Sequence, residues 1–247
     1  MTLTESLKKE AKKTGFVVSG IAKLDTLRDL PYGKTDYVGV LKTPEEELSK
    51  VKSVILLGIN AWDTAFNIVV NSSNLHFNKR QKPRAPLESY QLYYQIARSK
   101  AWNIISYLQK RGYDSIPSFA IPLKTAAVRC GIGCQGKNTL LINPTYGPRT
   151  RLVSVLTTAE LDSDEPFKED LCKDCQKCVL ACPTKALEPY KLKPNKCMVY
   201  ASENPRSRKV PNETRTLEKK LVKRPTDNSF IECSICLEAC PIGKAKN

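Results

Sequence analysis

The chain has 247 residues, 41% of them apolar, ten cysteines and a formal net charge of +15. That length allows one large domain or a core domain with a small appendage. The charge favours an acidic partner such as nucleic acid, a flavodoxin or an acidic ferredoxin, the plain alternative being a lysine-rich solvated surface. No window of about 18 apolar residues appears, so no membrane-spanning helix is expected. Met1 to Lys13 is charged where a secretory signal is apolar, which points to the cytoplasm.

Thr4 to Lys13 has a helical period, with Gly15 placed to end it. Phe16 to Ala22, rich in β-branched residues, reads as the first strand. Thr43-Pro44-Glu45-Glu46 combines an N-cap, a first-turn proline and a capping-box glutamate, which predicts a short helix to Lys50. Val51 to Ile59 is an apolar run of strand length and predicts a buried central strand. From Leu87 to Arg111 the apolar and aromatic residues Tyr90, Tyr93, Tyr94, Ala97, Ala101, Ile104, Ile105 and Leu108 recur at helical spacing, ended by Gly112. A tyrosine stripe on so long a helix is expected to face a core rather than stack on bases. His76, the only histidine, sits in a polar stretch with no paired acid and is expected on the surface.

Pro117 and Pro122 bracket an extended piece, and Leu123 to Cys130 reads as a helix. The run Gly131-Ile-Gly133-Cys134-Gln135-Gly136-Lys137-Asn138 then brings three glycines close together. It is not a Walker loop, because Asn138 stands where that loop needs Ser or Thr and a helix rather than a strand leads in. A tight turn and a ligand loop remain equally open. Thr150 to Thr158 predicts a further strand, and the acidic Leu161 to Asp170 a linker.

Beyond it lies Cys172-x-x-Cys175-x-x-Cys178-x-x-x-Cys182-Pro183, the run by which bacterial ferredoxins hold cubane clusters. In two-cluster ferredoxins the fourth cysteine serves the other cluster. A second motif, Cys233-x-x-Cys236-x-x-x-Cys240-Pro241, lacks its first cysteine, and Cys197 fills the gap. Reciprocal ligation assigns Cys172, Cys175, Cys178 and Cys240 to one [4Fe–4S] cluster and Cys182, Cys197, Cys233 and Cys236 to the other. Structural zinc favours two C-x-x-C pairs, and disulfides need an oxidising compartment, so both fit less well. Cys130 and Cys134 are spare, expected as small buried apolar groups. The 201–230 insertion carries eight Lys or Arg against four Asp or Glu, a basic flap that is either a docking surface or a solvated loop.

The helix entering Ala126-Ala127-x-x-x-Gly131-x-Gly133, then Gly136-Lys137-Asn138-Thr139-Leu140-Leu141-Ile142, then the strand ending Leu156-Thr157-Thr158 and the eight cysteines together resemble the epoxyqueuosine reductases and their relatives, the reductive-dehalogenase-like corrinoid proteins. The match runs from about Ala126 to Pro241. It implies an α/β (α+β) nitroreductase-like domain over residues 1–165 and a small ferredoxin-like double [4Fe–4S] domain over 166–247. It also implies a cobalamin fed by the two clusters, with Gly131, Gly133, Gly136, Lys137 and Asn138 against the corrinoid. Tyr146, near the loop, is a candidate acid. Epoxyqueuosine reductases carry a proton-donating aspartate upstream of this helix, whereas Ser115 to Pro122 contains no acid, and Cys134 replaces a large aromatic. The resemblance therefore implies an iron–sulfur reductase of this type, acting at the last step of tRNA queuosine synthesis, with a flavodoxin or ferredoxin as donor and tRNA as acidic partner. The alternatives are an electron-transfer protein or corrinoid activase without a substrate of its own, and a tRNA-binding protein with structural clusters.

Overall fold

The computed structural model describes residues 1–35, 39–61, 64–71 and 89–244. His76 and the first residues of the predicted 87–111 helix lie outside the described residues. Helix α1 (Leu3–Lys13) starts where Thr2 and Glu5 exchange side-chain and backbone hydrogen bonds, satisfying amides that the helix itself leaves free. Strand β1 (Val18–Lys23) follows, then a small ribbon of β2 (Gly33–Lys34) and β3 (Val40–Leu41). Helix α2 (Pro44–Glu47) has the predicted Thr43–Glu46 capping box but stops before Lys50, because Leu48 turns extended and packs into the core near Val51.

Strands β4 (Ser53–Asn60), β5 (Ile68–Asn71) and β6 (Ser89–Gln91) precede the long helix α3 (Leu92–Gln109). Then come β7 (Ser115–Ser118), α4 (Leu123–Arg129), β8 (Cys134–Gln135), β9 (Leu141–Ile142) and β10 (Thr150–Thr157). The main sheet runs β1-β4-β10-β7, every neighbouring pair antiparallel. Pro117 is tolerated in β7 because that strand is an edge, bonded to β10 alone.

Both faces of the sheet are covered, which is why β4 reads as an unbroken apolar run. Ile55, Leu57, Ile59, Val153 and Val155 meet α1 and α3 on one face, while Val54, Leu56, Leu152 and Leu156 meet α4 on the other. Tyr93, Ala97, Ala101, Ile104, Ile105 and Leu108 form the buried side of α3, the core-facing stripe expected of it. Leu57 is fully buried between these layers, so Leu57→Ala should lower the unfolding free energy by about 2–5 kcal/mol in denaturant melts.

The stretch 161–170 has no regular structure, yet it is strapped down. Leu161 is buried, Asp164 accepts from the Ile21 amide at 2.8 Å and pairs with Lys8, and the Phe167 amide donates to the Val128 carbonyl at 2.9 Å. The cysteine-rich part contains α5 (Lys177–Leu180), β11 (Leu187–Glu188), β12 (Lys191–Leu192), α6 (Met198–Glu203), α7 (Asn212–Leu221), β13 (Ser229–Ile231) and α8 (Ile235–Glu238). The basic flap is thus a folded unit. Its β13 joins β5 and β6 in a three-stranded sheet, and Phe230, Met198 and Val222 pack on Val69.

Candidate iron–sulfur centres and the adjoining cleft

Cys172 and Cys175 occupy a tight turn in which the Cys175 amide donates to the Cys172 carbonyl at 2.8 Å. Cys178 follows on α5, and Cys240 arrives from the end of α8. These four cysteines line one cavity of about 60 Å³ with Asn138, Ile142, Leu171, Pro241 and Ile242. The second set is defined by mutual influence. Burial pushes the Cys236 thiol up to about 12, and Cys233, Cys197 and Cys182 push it further the same way. Burial likewise raises Cys233 to about 11, with Cys197 and Cys182 adding to it. Cys178 also acts on Cys236, so the two groups of four adjoin, as the packing of α5 on α8 requires.

Among the described residues, no three His, Cys, Asp or Glu stand close enough to hold a single metal ion. A tetrahedral zinc with sulfur at 2.3 Å would need sulfurs about 3.8 Å apart. A cube spreads its thiolates over four corners instead. Because burial favours the protonated thiols, loading iron must release protons, and cluster affinity should rise with pH.

The glycine loop is built by protein against protein. A side-chain carbon on Gly133 would lie 2.2 Å from the Ile142 carbonyl oxygen, and one on Gly131, at φ +72°, 2.5 Å from that of Glu165. On Gly136 it would meet Asn138 Oδ1 at 2.7 Å. Lys137, almost fully buried, donates from Nζ to the Lys173 carbonyl between the first two cysteines, and Asn138 lines the first cavity. Their side chains therefore turn to the first cysteine group. Cys130 is buried in the core beside α4, and Cys134 packs with Ile142 and Cys240. The backbone of Tyr146 lies against Gly243, behind the first group.

A second set of residues escapes sequence reading. The Tyr93 hydroxyl donates to Glu232 Oε1 at 3.3 Å, and the Arg151 guanidinium sits 4.7 Å over the Tyr93 ring while Nη2 donates to Asn67 Oδ1 at 2.9 Å. Lys124, on α4, donates to the Thr139 carbonyl at 3.2 Å. Its side chain is exposed to solvent, yet surrounding protein lowers its pKa by desolvation, helped by Arg151 and opposed by Cys236, Cys197 and Glu232. Lys124 is thus close enough to Arg151, Cys236, Cys197 and Glu232 for their charges to act on it. At the strand ends beside Arg151, Asn60 Oδ1, Arg149 Nη1, Thr150 Oγ1 and Arg151 Nε are buried without a hydrogen-bond partner, polar atoms that water, an ion or a ligand can satisfy.

Burial raises the Glu232 carboxyl above its ordinary value of 4.5, opposed chiefly by Arg151 and then by hydrogen bonds from Gln91 and Tyr93. The folded protein thus favours the protonated acid. Its contribution to stability is full below the ordinary value and is lost as pH rises through the elevated one. Glu232→Gln should remove that loss. Denaturant midpoints of variant and wild type should diverge in the variant's favour as pH rises above 4.5.

Residues 171–243 match the family described as 4Fe-4S double cluster binding domain. The epoxyqueuosine reductase of Prochlorococcus marinus (strain NATL2A) is 27% identical over 265 residues, covering 97% of this chain and 78% of that protein. The tetrachloroethene reductive dehalogenase of Desulfitobacterium hafniense is 38% identical over 121 residues, 44% of this chain and 21% of its own. A crystal structure of epoxyqueuosine reductase with a tRNA-Tyr epoxyqueuosine-modified stem loop superposes with a TM-score of 0.71 at 23% identity, covering 99% of this chain and 66% of that one. The mixed α/β fold with its double-cluster segment is therefore the fold of that structure. No helix among the described residues is long and apolar enough to cross a membrane.

Proposed function

We propose that this relative of the epoxyqueuosine reductases is a reductase that carries electrons through two [4Fe–4S] clusters to a cobalamin bound beside Lys124. Residues 1–165 form its nitroreductase-like, corrinoid-binding domain and 166–247 its cluster domain. The observation that carries the reading is that Cys240 of the second motif lines one cavity with Cys172, Cys175 and Cys178 of the first, the crosswise arrangement of a two-cluster segment. The substrate is a nucleoside borne by tRNA, with the basic face around α7 (Lys219, Lys220, Lys223 and Arg224) meeting the phosphates. The donor is a low-potential flavodoxin or ferredoxin, and the protein works in the cytoplasm.

The orphaned Asn60, Arg149, Thr150 and Arg151 atoms fit a ligand bordered by amide donors and acceptors, as a corrinoid is. Those residues would hold its edge. When bound, the corrinoid supplies the low-potential metal centre for reductive bond cleavage. Removing an epoxide oxygen takes two electrons and two protons and releases water. Ser115 to Pro122 offers no acid, which leaves Glu232, whose burial favours the protonated carboxyl and which accepts from the Tyr93 hydroxyl, and Lys124 as the groups to supply protons. General-acid help of this kind is worth about 10²–10⁴-fold. Lys124 and Arg151 also favour an anionic or electron-rich substrate at this point.

Anaerobic reconstitution with iron and sulfide followed by added cobalamin tests the reading. The protein should retain cobalamin through gel filtration with an altered cobalt spectrum. An unchanged spectrum with nothing retained would replace it with an electron-transfer role, the reading that the acid-free Ser115–Pro122 stretch favours.

A further inference from the structure

The glycine loop ends on a side chain that has half of its hydrogen bonding satisfied. Asn138 is 3% exposed. Its Oδ1 accepts from the Leu140 amide at 3.2 Å, while Nδ2 is buried with no partner. A buried amide left this way is unusual, since leaving a donor unmade costs about 1–3 kcal/mol. The same side chain lines the cavity shared by Cys172, Cys175, Cys178 and Cys240. Its approach is built in. The Gly136–Thr139 turn, with Thr139 at φ +63°, folds Asn138 back over Gly136, where any side chain would collide with Oδ1. Lys137, next door, ties the loop to the Lys173 carbonyl within the cysteine turn.

We propose that Asn138 is a positioning and tuning residue of the first cluster, donating from Nδ2 to a sulfur of the cube held by those four cysteines. The inference rests on the two-cluster reading and refines it. A hydrogen bond to cluster sulfur favours the more negative, reduced state and so raises the reduction potential. Asn138 would set the first cluster above the potential it would otherwise have, and make it easier to reduce by the external donor.

Two variants separate this role from mere support of the turn. Asn138→Asp keeps an oxygen for the Leu140 amide but has no donor, and Asn138→Leu has neither donor nor charge. In EPR-monitored redox titrations of the reconstituted full chain, the first cluster should become about tenfold harder to reduce in Asn138→Leu, about 59 mV for one electron. Asn138→Asp should fall further, and the second cluster should stay put in both. Wild-type protein labelled with [15N]asparagine should also show a nitrogen coupling to the reduced first cluster by pulsed EPR, which decides the matter if neither variant retains that cluster. Unaltered potentials in variants that hold both clusters, or no 15N coupling in the wild type, would overturn the assignment. A wild type that never binds two clusters would instead count against the two-cluster reading beneath it.

Discussion

Cys240→Ala is expected to empty the cluster of the other motif. Iron should fall from about eight to about four atoms per chain, and the centre lost should be the one built on Cys172, Cys175 and Cys178. The reason is spatial: Cys240 lies in the cavity with those three residues, whereas its sequence neighbours Cys233 and Cys236 lie with Cys182 and Cys197. Double variants make the pairing explicit. Cys175→Ala with Cys240→Ala should lose no more iron than either alone, while Cys233→Ala with Cys240→Ala should lose both centres. Since metal affinity in small cluster domains is also folding free energy, protease sensitivity across 171–243 should rise in step with the iron lost. Ligation within each motif would give the opposite pattern, with Cys233→Ala and Cys240→Ala removing the same centre.

The second large effect belongs to Gly147. A side-chain carbon there would stand 2.0 Å from the Ile242 carbonyl oxygen, and the backbone is at φ +57°. The contact is reciprocal, because Gly243, at φ +73°, approaches Tyr146 so closely that its own side-chain carbon would lie 2.2 Å from that residue's carbonyl carbon. Overpacking of this kind costs about 1–3 kcal/mol, and the left-handed backbone adds about 1–2 kcal/mol for a residue with a side chain. Gly147→Ala should therefore lose about 2–5 kcal/mol in denaturant melts. Because the collision is with the chain just beyond Cys240, it should also loosen the first cluster. Gly33→Ala is the control: its φ is +96° and nothing lies within 4 Å, so only backbone strain remains. Equal losses in the two variants would show that the Ile242 contact contributes nothing.

Local chemistry is where the sequence reads best. The Thr43–Glu46 capping box, the doubly covered strand β4 and the core stripe of α3 all follow from residues within a turn or two of one another. The two cysteine motifs are legible for the same reason, since each holds its thiols within a few residues of one another. What cannot be read is set by long-range contact. Glu232 gains meaning only when β13 joins β5 and brings it to Tyr93, 139 residues away in sequence. Lys124 reads as an ordinary helix lysine until desolvation by the folded protein, helped by Arg151, lowers its pKa. The one local hint was an acid directly before Cys233. Likewise the glycines of the 131–136 run look like a ligand cradle, yet each is required by a carbonyl or side chain packed against it. The acidic 161–170 stretch has the composition of a linker, but Asp164 and Phe167 bond it to β1 and α4.

The most direct test of the account is iron and zinc analysis with EPR of anaerobically reconstituted, dithionite-reduced protein. Two crosswise-held cubes predict about eight iron atoms per chain, negligible zinc and the broadened signal of two magnetically interacting reduced centres. Bound zinc, or about four iron atoms with the signal of one isolated centre, would contradict it.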